Sequence, residues 1–181
     1  MKIEDNFIDQ EKFDVLQTFM MSQKFPWHYT DGILYGVLDS DGNLIFSEEV
    51  DKNKFQFVHE FYDADVPCSS HWKTLIPILE IINATAMTRI KANLRTRTSK
   101  NEESFFHVDL QMSKEKLKQW TTSIFYVNTN NGYTKFEDGT KVESVANRLV
   151  SFPANMKHLG TSCTDQKTRV VINFNYFTKD I

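Results

Sequence analysis

The sequence predicts a mainly β fold, an antiparallel sandwich or jelly roll, with two N-terminal helices set against one outer face. Three observations lead there. From Thr88 to Phe177 short strand-forming runs alternate with Gly, Asn and Asp turns such as Asn130-Asn131-Gly132 and Glu137-Asp138-Gly139, the pattern of short antiparallel strands. No helical period interrupts that region, and the two helical periods both precede it. A chain of 181 residues suits one domain with one substantial core. Residues about 1–87 are expected to form helical support and about 88–178 the β core.

Composition narrows the class further. Hydrophobic residues make up 40% of the chain and charged residues 25%, as in ordinary soluble globular proteins. A net charge of −3 leaves no electrostatic footprint for nucleic acid, so no such partner is expected. Cys68 and Cys163 lack CxxC spacing and read as reduced thiols. No apolar run approaches a membrane span, and Met1-Lys2-Ile3-Glu4-Asp5 does not open a signal peptide. A cytoplasmic protein without a membrane partner is expected.

In chain order, Asp9 should cap a helix reaching about Gln23, with Phe13, Leu16 and Met20 as its apolar stripe. Phe25-Pro26-Trp27 ends it, because proline disfavours helix in the residue before it. Residues 32–38 and 44–46 flank Asp39-Ser40-Asp41-Gly42-Asn43, a hairpin turn that lacks the spacing and terminal Glu of a calcium loop. A strand follows over 54–62. Ser69 or Ser70 then caps a second helix over about 71–86, which Pro77 should kink. On the next strand Arg89, Lys91, Asn93, Arg95 and Arg97 share one parity, and Ile90, Ala92 and Leu94 the other. Residues 98–103 form a polar loop placed to gate a site, and 113–119 a short polar segment. Strands are expected over 121–128, 133–136, 141–145, 148–152, around His158 and over 168–177. On the last, Val170, Ile172, Phe174 and Tyr176 suit packing on the helices, whereas Arg169, Val171, Asn173 and Asn175 suit a wet cavity.

The stretch Phe105-Phe106-His107-Val108-Asp109-Leu110 carries the chemistry. In a strand His107 and Asp109 point to the same side, one pleat apart. A third ligand must come from elsewhere, and His158 is the best candidate. Two His and one carboxylate form the facial triad of non-haem Fe(II) oxygenases, which leaves positions open for co-substrate and oxygen. A lone His-x-Asp occurs in many exposed strands, so chemistry must supply the further constraint. Such enzymes most often draw electrons from 2-oxoglutarate, whose far carboxylate suits the planar fork of an arginine. Arg169, at the start of the last strand, is placed to be that arginine.

These pieces resemble the 2-oxoglutarate/Fe(II)-dependent oxygenases, and most of all the prolyl-4-hydroxylase-like branch, which includes members in bacteriophage genomes. Phe106-His107-Val108-Asp109, Ser123-Ile124-Phe125-Tyr126-Val127-Asn128, Asn131-Gly132-Tyr133-Thr134-Lys135-Phe136, Asn147-Arg148-Leu149-Val150-Ser151-Phe152, His158 and Arg169-Val170-Val171-Ile172-Asn173 carry the similarity, over about half the chain. The resemblance implies a double-stranded β-helix, the cupin-like jelly roll. It implies His107, Asp109 and His158 as Fe(II) ligands, and Arg169 and Tyr126 as partners of the distal carboxylate of 2-oxoglutarate. It further implies hydroxylation of a C–H bond with O2. A prolyl residue of a peptide or protein is the first substrate candidate and a small molecule the second. A phage-encoded member would act in the host cytoplasm.

Asp109 counts against halogenation, since Gly or Ala there would vacate a position for halide. Asn173 shares the inward face with Arg169 and is a candidate substrate contact. Asn93 and Arg95 are candidates for holding co-substrate or an anionic substrate, unless their face is the solvated side of an edge strand. His28, His59 and His71 lack metal-type spacing, and Trp27, Trp72 and Trp120 read as packing residues. Two other readings compete: a cupin-like zinc or manganese enzyme that does not use 2-oxoglutarate, and a non-catalytic jelly-roll binding module.

Overall fold

The computed structural model describes residues 1–33, 36–38, 44–46 and 54–179. In chain order its strands are β1 (Lys2–Glu4), β2 (His28–Thr30), β3 (Gly36–Leu38), β4 (Leu44–Phe46), β5 (Gln56–Asp63), β6 (Val66–Pro67) and β7 (Ala86–Thr96). Then follow β8 (Thr121–Tyr126), β9 (Tyr133–Phe136), β10 (Lys141–Glu143), β11 (Arg148–Pro153), β12 (His158–Gly160) and β13 (Thr168–Phe177). The helices are α1 (Gln10–Met20), α2 (Ile76–Ile82) and the single turn α3 (Lys114–Leu117). The main sheet runs β1-β11-β8-β13-β7-β5-β2, with β6 beside β5, and a smaller sheet runs β10-β9-β12. Strands β3 and β4 pair antiparallel, as the expected hairpin does; its turn, 39–43, lies outside the described residues.

Side-chain alternation divides the interior in two. On one face of the main sheet Phe125, Val170, Ile172 and Phe174 pack on Phe13, Leu16 and Met20 of α1 and on Leu75 and Ile78. On the other face Ile124, Tyr126, Val150, Phe152 and Val171 meet Phe136 and Val142 of the smaller sheet. The result is a jelly roll buttressed by helices, and both faces of β13 fall as its parity predicts. Among the described residues no helix is long and apolar enough to cross a membrane.

Several local expectations change. Asp9 caps α1 through its side chain, 3.1 Å from Glu11 N and 3.3 Å from Lys12 N, but the helix ends at Met20. The second helical stretch is a 3-10 turn, Trp72–Leu75, followed by α2, and Asn83 ends it in the left-handed region (φ 49°). Pro77 sits in the first turn of α2, where a missing N–H leaves no bond unmade, so it causes no kink. The polar segment before β8 contains α3, capped by Ser113 and anchored by buried Leu117. Strand β7 lies between β13 and β5, so its polar face is not that of an edge strand.

The run around His107 is not a regular strand; His107 meets His158 in an isolated bridge. The loop before it is fastened down, which is not the arrangement of a free gate. Glu102 N donates to Ser162 Oγ (2.8 Å), Asn101 Nδ2 to Asn131 O (2.8 Å), and the Glu103 carboxylate accepts from Tyr133 (2.9 Å) and Lys135 (3.0 Å).

The N-terminal segment is locked to the sheet by Asn147, a buried residue at φ 60°. Its Oδ1 accepts from Ile8 N (3.1 Å) and its Nδ2 donates to Ile8 O (2.8 Å). Asn147→Ala should remove both bonds and put an alanine in the left-handed region. Denaturant unfolding is expected to show a loss of about 2–4 kcal/mol; a loss below about 0.5 kcal/mol would sink this account of the lock.

Candidate active site

Reciprocal backbone hydrogen bonds of 3.0 Å set His107 beside His158. Their ring centroids lie 4.8 Å apart. In each ring Nδ1 faces a main-chain carbonyl: Phe105 O at 2.9 Å for His107 and Met156 O at 3.3 Å for His158. Donation to a carbonyl makes Nδ1 the protonated nitrogen and leaves the Nε2 lone pair for a cation. Asp109 Oδ1 lies 3.5 Å from His107 Nε2 and 3.6 Å from His158 Nε2. One ligand atom from each of the three residues falls within 4.8 Å of the others. Asp109 Oδ2 accepts from Asn173 Nδ2 (3.1 Å) and Asn175 Nδ2 (3.3 Å), which turns Oδ1 toward the imidazoles.

Burial opposes ionisation of Asp109, but the adjacent His107 and His158 outweigh it and hold the carboxyl well below the usual carboxylate range. Burial pushes His158 down to about 4, against the pull of Asp109. An ionised acid and a neutral imidazole are the protonation states that metal binding requires. Phe136 and Phe152, with ring centroids 6.3 Å and 4.9 Å from that of His158, form an apolar wall behind it.

The triad opens on a cavity of about 580 Å³ that also reaches Arg169, Thr134, Asn173 and the polar parity of β7, a size typical of small-ligand sites. Arg169 is buried in its wall. Nε donates to Ser144 Oγ (2.8 Å) and Nη2 to Thr134 Oγ1 (3.2 Å), and no carboxylate pairs with it among the described residues. Burial pushes its pKa down to about 10, which leaves it a cation at neutral pH. Gly132 makes room for its stem: a Cβ there would lie 2.6 Å from Arg169 Cδ and 2.7 Å from Ser162 O.

No family model matches the sequence, and no curated protein matches it. Solved structures do. A prolyl hydroxylase from Trichoplax adhaerens, in complex with a hypoxia inducible factor oxygen degradation domain peptide fragment, superposes with a TM-score of 0.61 at 12% identity, over 97% of this chain and 82% of that one. A 2OG-Fe(II) oxygenase family oxidoreductase from Burkholderia pseudomallei gives 0.55 at 11%, over 92% and 78%. A Pseudomonas putida prolyl-4-hydroxylase gives 0.51 at 10%, over 98% and 92%. At these identities the likeness is one of fold. The fold is that of the prolyl hydroxylases and 2OG-Fe(II) oxygenases.

Within this oxygenase fold, Tyr126 differs from expectation. Its hydroxyl donates to Thr134 Oγ1 (2.8 Å), it does not line the cavity, and the Arg169 guanidinium lies over its ring at 5.7 Å. Thr134 Oγ1 therefore accepts from both Tyr126 and Arg169, so neither bond uses the threonine's own proton, and Thr134 lines the cavity. Asn173 is engaged with Asp109 (3.1 Å), while Arg95 Nη1 donates to Glu102 O and Gly160 O (both 3.2 Å), directly across from Arg169 in register. Asn93 lines the cavity, opposite Val171. Thr134, Ser144, Gly132 and Asn175 were not among the candidate site residues. For Thr134 and Asn175 a signal existed in strand parity, with inward-facing Phe136 and Asn173 respectively. Gly132 stands in the segment Asn131-Gly132-Tyr133-Thr134-Lys135-Phe136 that carries the resemblance, whereas Ser144 carries no signal. His59 lies apart, bonded to Pro26 O (2.9 Å) and Ser69 Oγ (2.8 Å), with His28 and His71 beside its ring.

Proposed function

We propose that the protein is a 2-oxoglutarate- and Fe(II)-dependent dioxygenase that hydroxylates a C–H bond, with a prolyl residue of a peptide or protein as the first substrate candidate. The observation that carries the reading is the convergence of His107 Nε2, His158 Nε2 and Asp109 Oδ1 at the wall of a cavity that holds a buried arginine with no carboxylate partner among the described residues. The donor set fits Fe(II): two imidazole nitrogens and one carboxylate oxygen, each held by a bond from its far side. When bound, iron and 2-oxoglutarate would supply oxidative hydroxylation, one oxygen atom of O2 entering the substrate and the other entering succinate as CO2 leaves.

The chain's own residues do the rest. His107, Asp109 and His158 would hold the metal, and Asn173 and Asn175 would keep the acid oriented. Arg169 would grip the distal carboxylate of the co-substrate, with the Thr134 proton as a second donor and Tyr126 acting through Thr134. Phe136 and Phe152 keep water from the His158 side. The peptide bound to the Trichoplax adhaerens enzyme supports a peptide as substrate, and the unpaired thiols of Cys68 and Cys163 suit the cytoplasm.

Purified protein supplied with Fe(II), 2-oxoglutarate and O2 should form succinate. Prolyl peptides and free amino acids, screened by mass spectrometry, should include one that gains a single oxygen. If 2-oxoglutarate neither binds the metal-loaded protein nor yields succinate, the reading fails.

A further inference from the structure

The cavity's outer wall holds two cations that the proposed chemistry leaves unused. Arg89 and Lys91 lie on the cavity face of β7, one pleat apart. Lys91 stands opposite Asn173 in the strand register, and Asn173 bonds the metal-ligand carboxylate of Asp109. Lys91 is therefore one strand away from the reacting centre. Its side chain is only 19% exposed, yet its ion-pair partner among the described residues, Glu60, is 3.9 Å away and 43% exposed. Arg89 Nη2 lies 3.8 Å from the same carboxylate. Neither cation donates a side-chain hydrogen bond to a described residue.

A largely buried ammonium that makes no side-chain hydrogen bond to a described residue, its ion pair with Glu60 stretched to 3.9 Å, is costly. Burial lowers the Lys91 pKa, with Arg89 adding to the effect while Glu60, Asp109 and Asp63 oppose it. Among the described residues the cavity is lined by Arg89, Lys91, Arg95 and Arg169 and by Glu60, Asp63 and Asp109. A divalent metal and a dianionic co-substrate cancel each other in charge, so Arg89 and Lys91, which share the Glu60 carboxylate, keep positive charge for a third ligand.

We propose that Lys91 and Arg89 form a subsite for a carboxylate of the substrate, so that the hydroxylated molecule is an organic acid. This deepens the oxygenase reading and rests on it. A carboxylate seated there takes the arginine fork and a close contact from the lysine, and exposed Glu60 yields its place. The acid is either a free one or the side chain of a peptide.

The test uses protein loaded with Zn(II) and 2-oxoglutarate, titrated with matched probes. One pair is L-proline and L-prolinamide; the other is the end-capped peptides Ala-Pro-Asp and Ala-Pro-Asn. At least one acid should bind about 10-fold or more tighter than its amide, the effect of a hydrogen bond to a charged group. In the Lys91→Gln/Arg89→Gln double variant that gap should fall below about 2-fold, with 2-oxoglutarate binding retained. Lys91→Arg should keep most of it, which separates lost charge from lost folding. Response of the first pair identifies a free acid, and of the second an acidic peptide. Wild type that binds 2-oxoglutarate without preferring either acid overturns the subsite alone, as does a preference that survives in the double variant. Wild type that fails to bind 2-oxoglutarate overturns both readings.

Discussion

Asp109→Asn is expected to lower metal affinity by more than about 100-fold while leaving the fold in place. The substitution keeps the size and shape of the side chain. Asn173 and Asn175 still need an oxygen acceptor where Asp109 Oδ2 now sits. The new amide satisfies them by directing its oxygen that way, which points its NH2 group at the Nε2 lone pairs of His107 and His158. A ligand thus becomes a donor that occupies the other two ligands. Asn173→Ala should be milder, about 10–100-fold, the usual cost of losing an outer partner of a metal ligand. Anaerobic calorimetry with Fe(II) orders the three proteins. Equal affinity in wild type and Asp109→Asn would remove the triad from the account.

Arg169→Lys should leave Fe(II) binding intact and weaken 2-oxoglutarate by about 2–3 kcal/mol, roughly 30–150-fold. Lysine offers a point charge in place of a fork, so it cannot bond Ser144, Thr134 and a carboxylate in the fixed geometry that Arg169 presents. Gly132→Ala reaches the same group from the other side. Its Cβ meets Arg169 Cδ at 2.6 Å and the Ser162 carbonyl at 2.7 Å. The side chain could yield, but the backbone carbonyl cannot, so about 1–3 kcal/mol of stability should go as well. Titration of 2-oxoglutarate into the metal-loaded variants, with a denaturant curve for each, separates the two effects. A cupin-like enzyme that makes no use of 2-oxoglutarate would be indifferent to Arg169→Lys.

The parity of β13 was readable because both of its faces are buried by different partners. Val170, Ile172 and Phe174 meet the helices, while Arg169 and Asn173 line the cavity. The strand setting of His107 was misread: alternation places His107 and Asp109 on one side in a strand, and an isolated bridge to His158 brings them together here without one. Pro77 was misread because the start of α2 depends on a preceding 3-10 turn that no local pattern announces. Tyr126, which the resemblance sets beside the distal carboxylate of 2-oxoglutarate, gives its hydroxyl proton to Thr134 on a different sheet, a pairing no local pattern announces.

By itself the sequence determined which chemistries were available: two imidazoles, an acid and an arginine in an order that suits one metal and one dicarboxylate, set in alternating runs that must form sheets. Alternation and ligand identity are local properties, so they survive without coordinates. Only the tertiary structure decided that β7 is an interior strand, that Thr134, Ser144 and Gly132 serve Arg169, and that Lys91 stands across from Asn173. Those facts depend on which strands pair and in what register, and register follows from burial of whole faces at once rather than from the preference of any single residue.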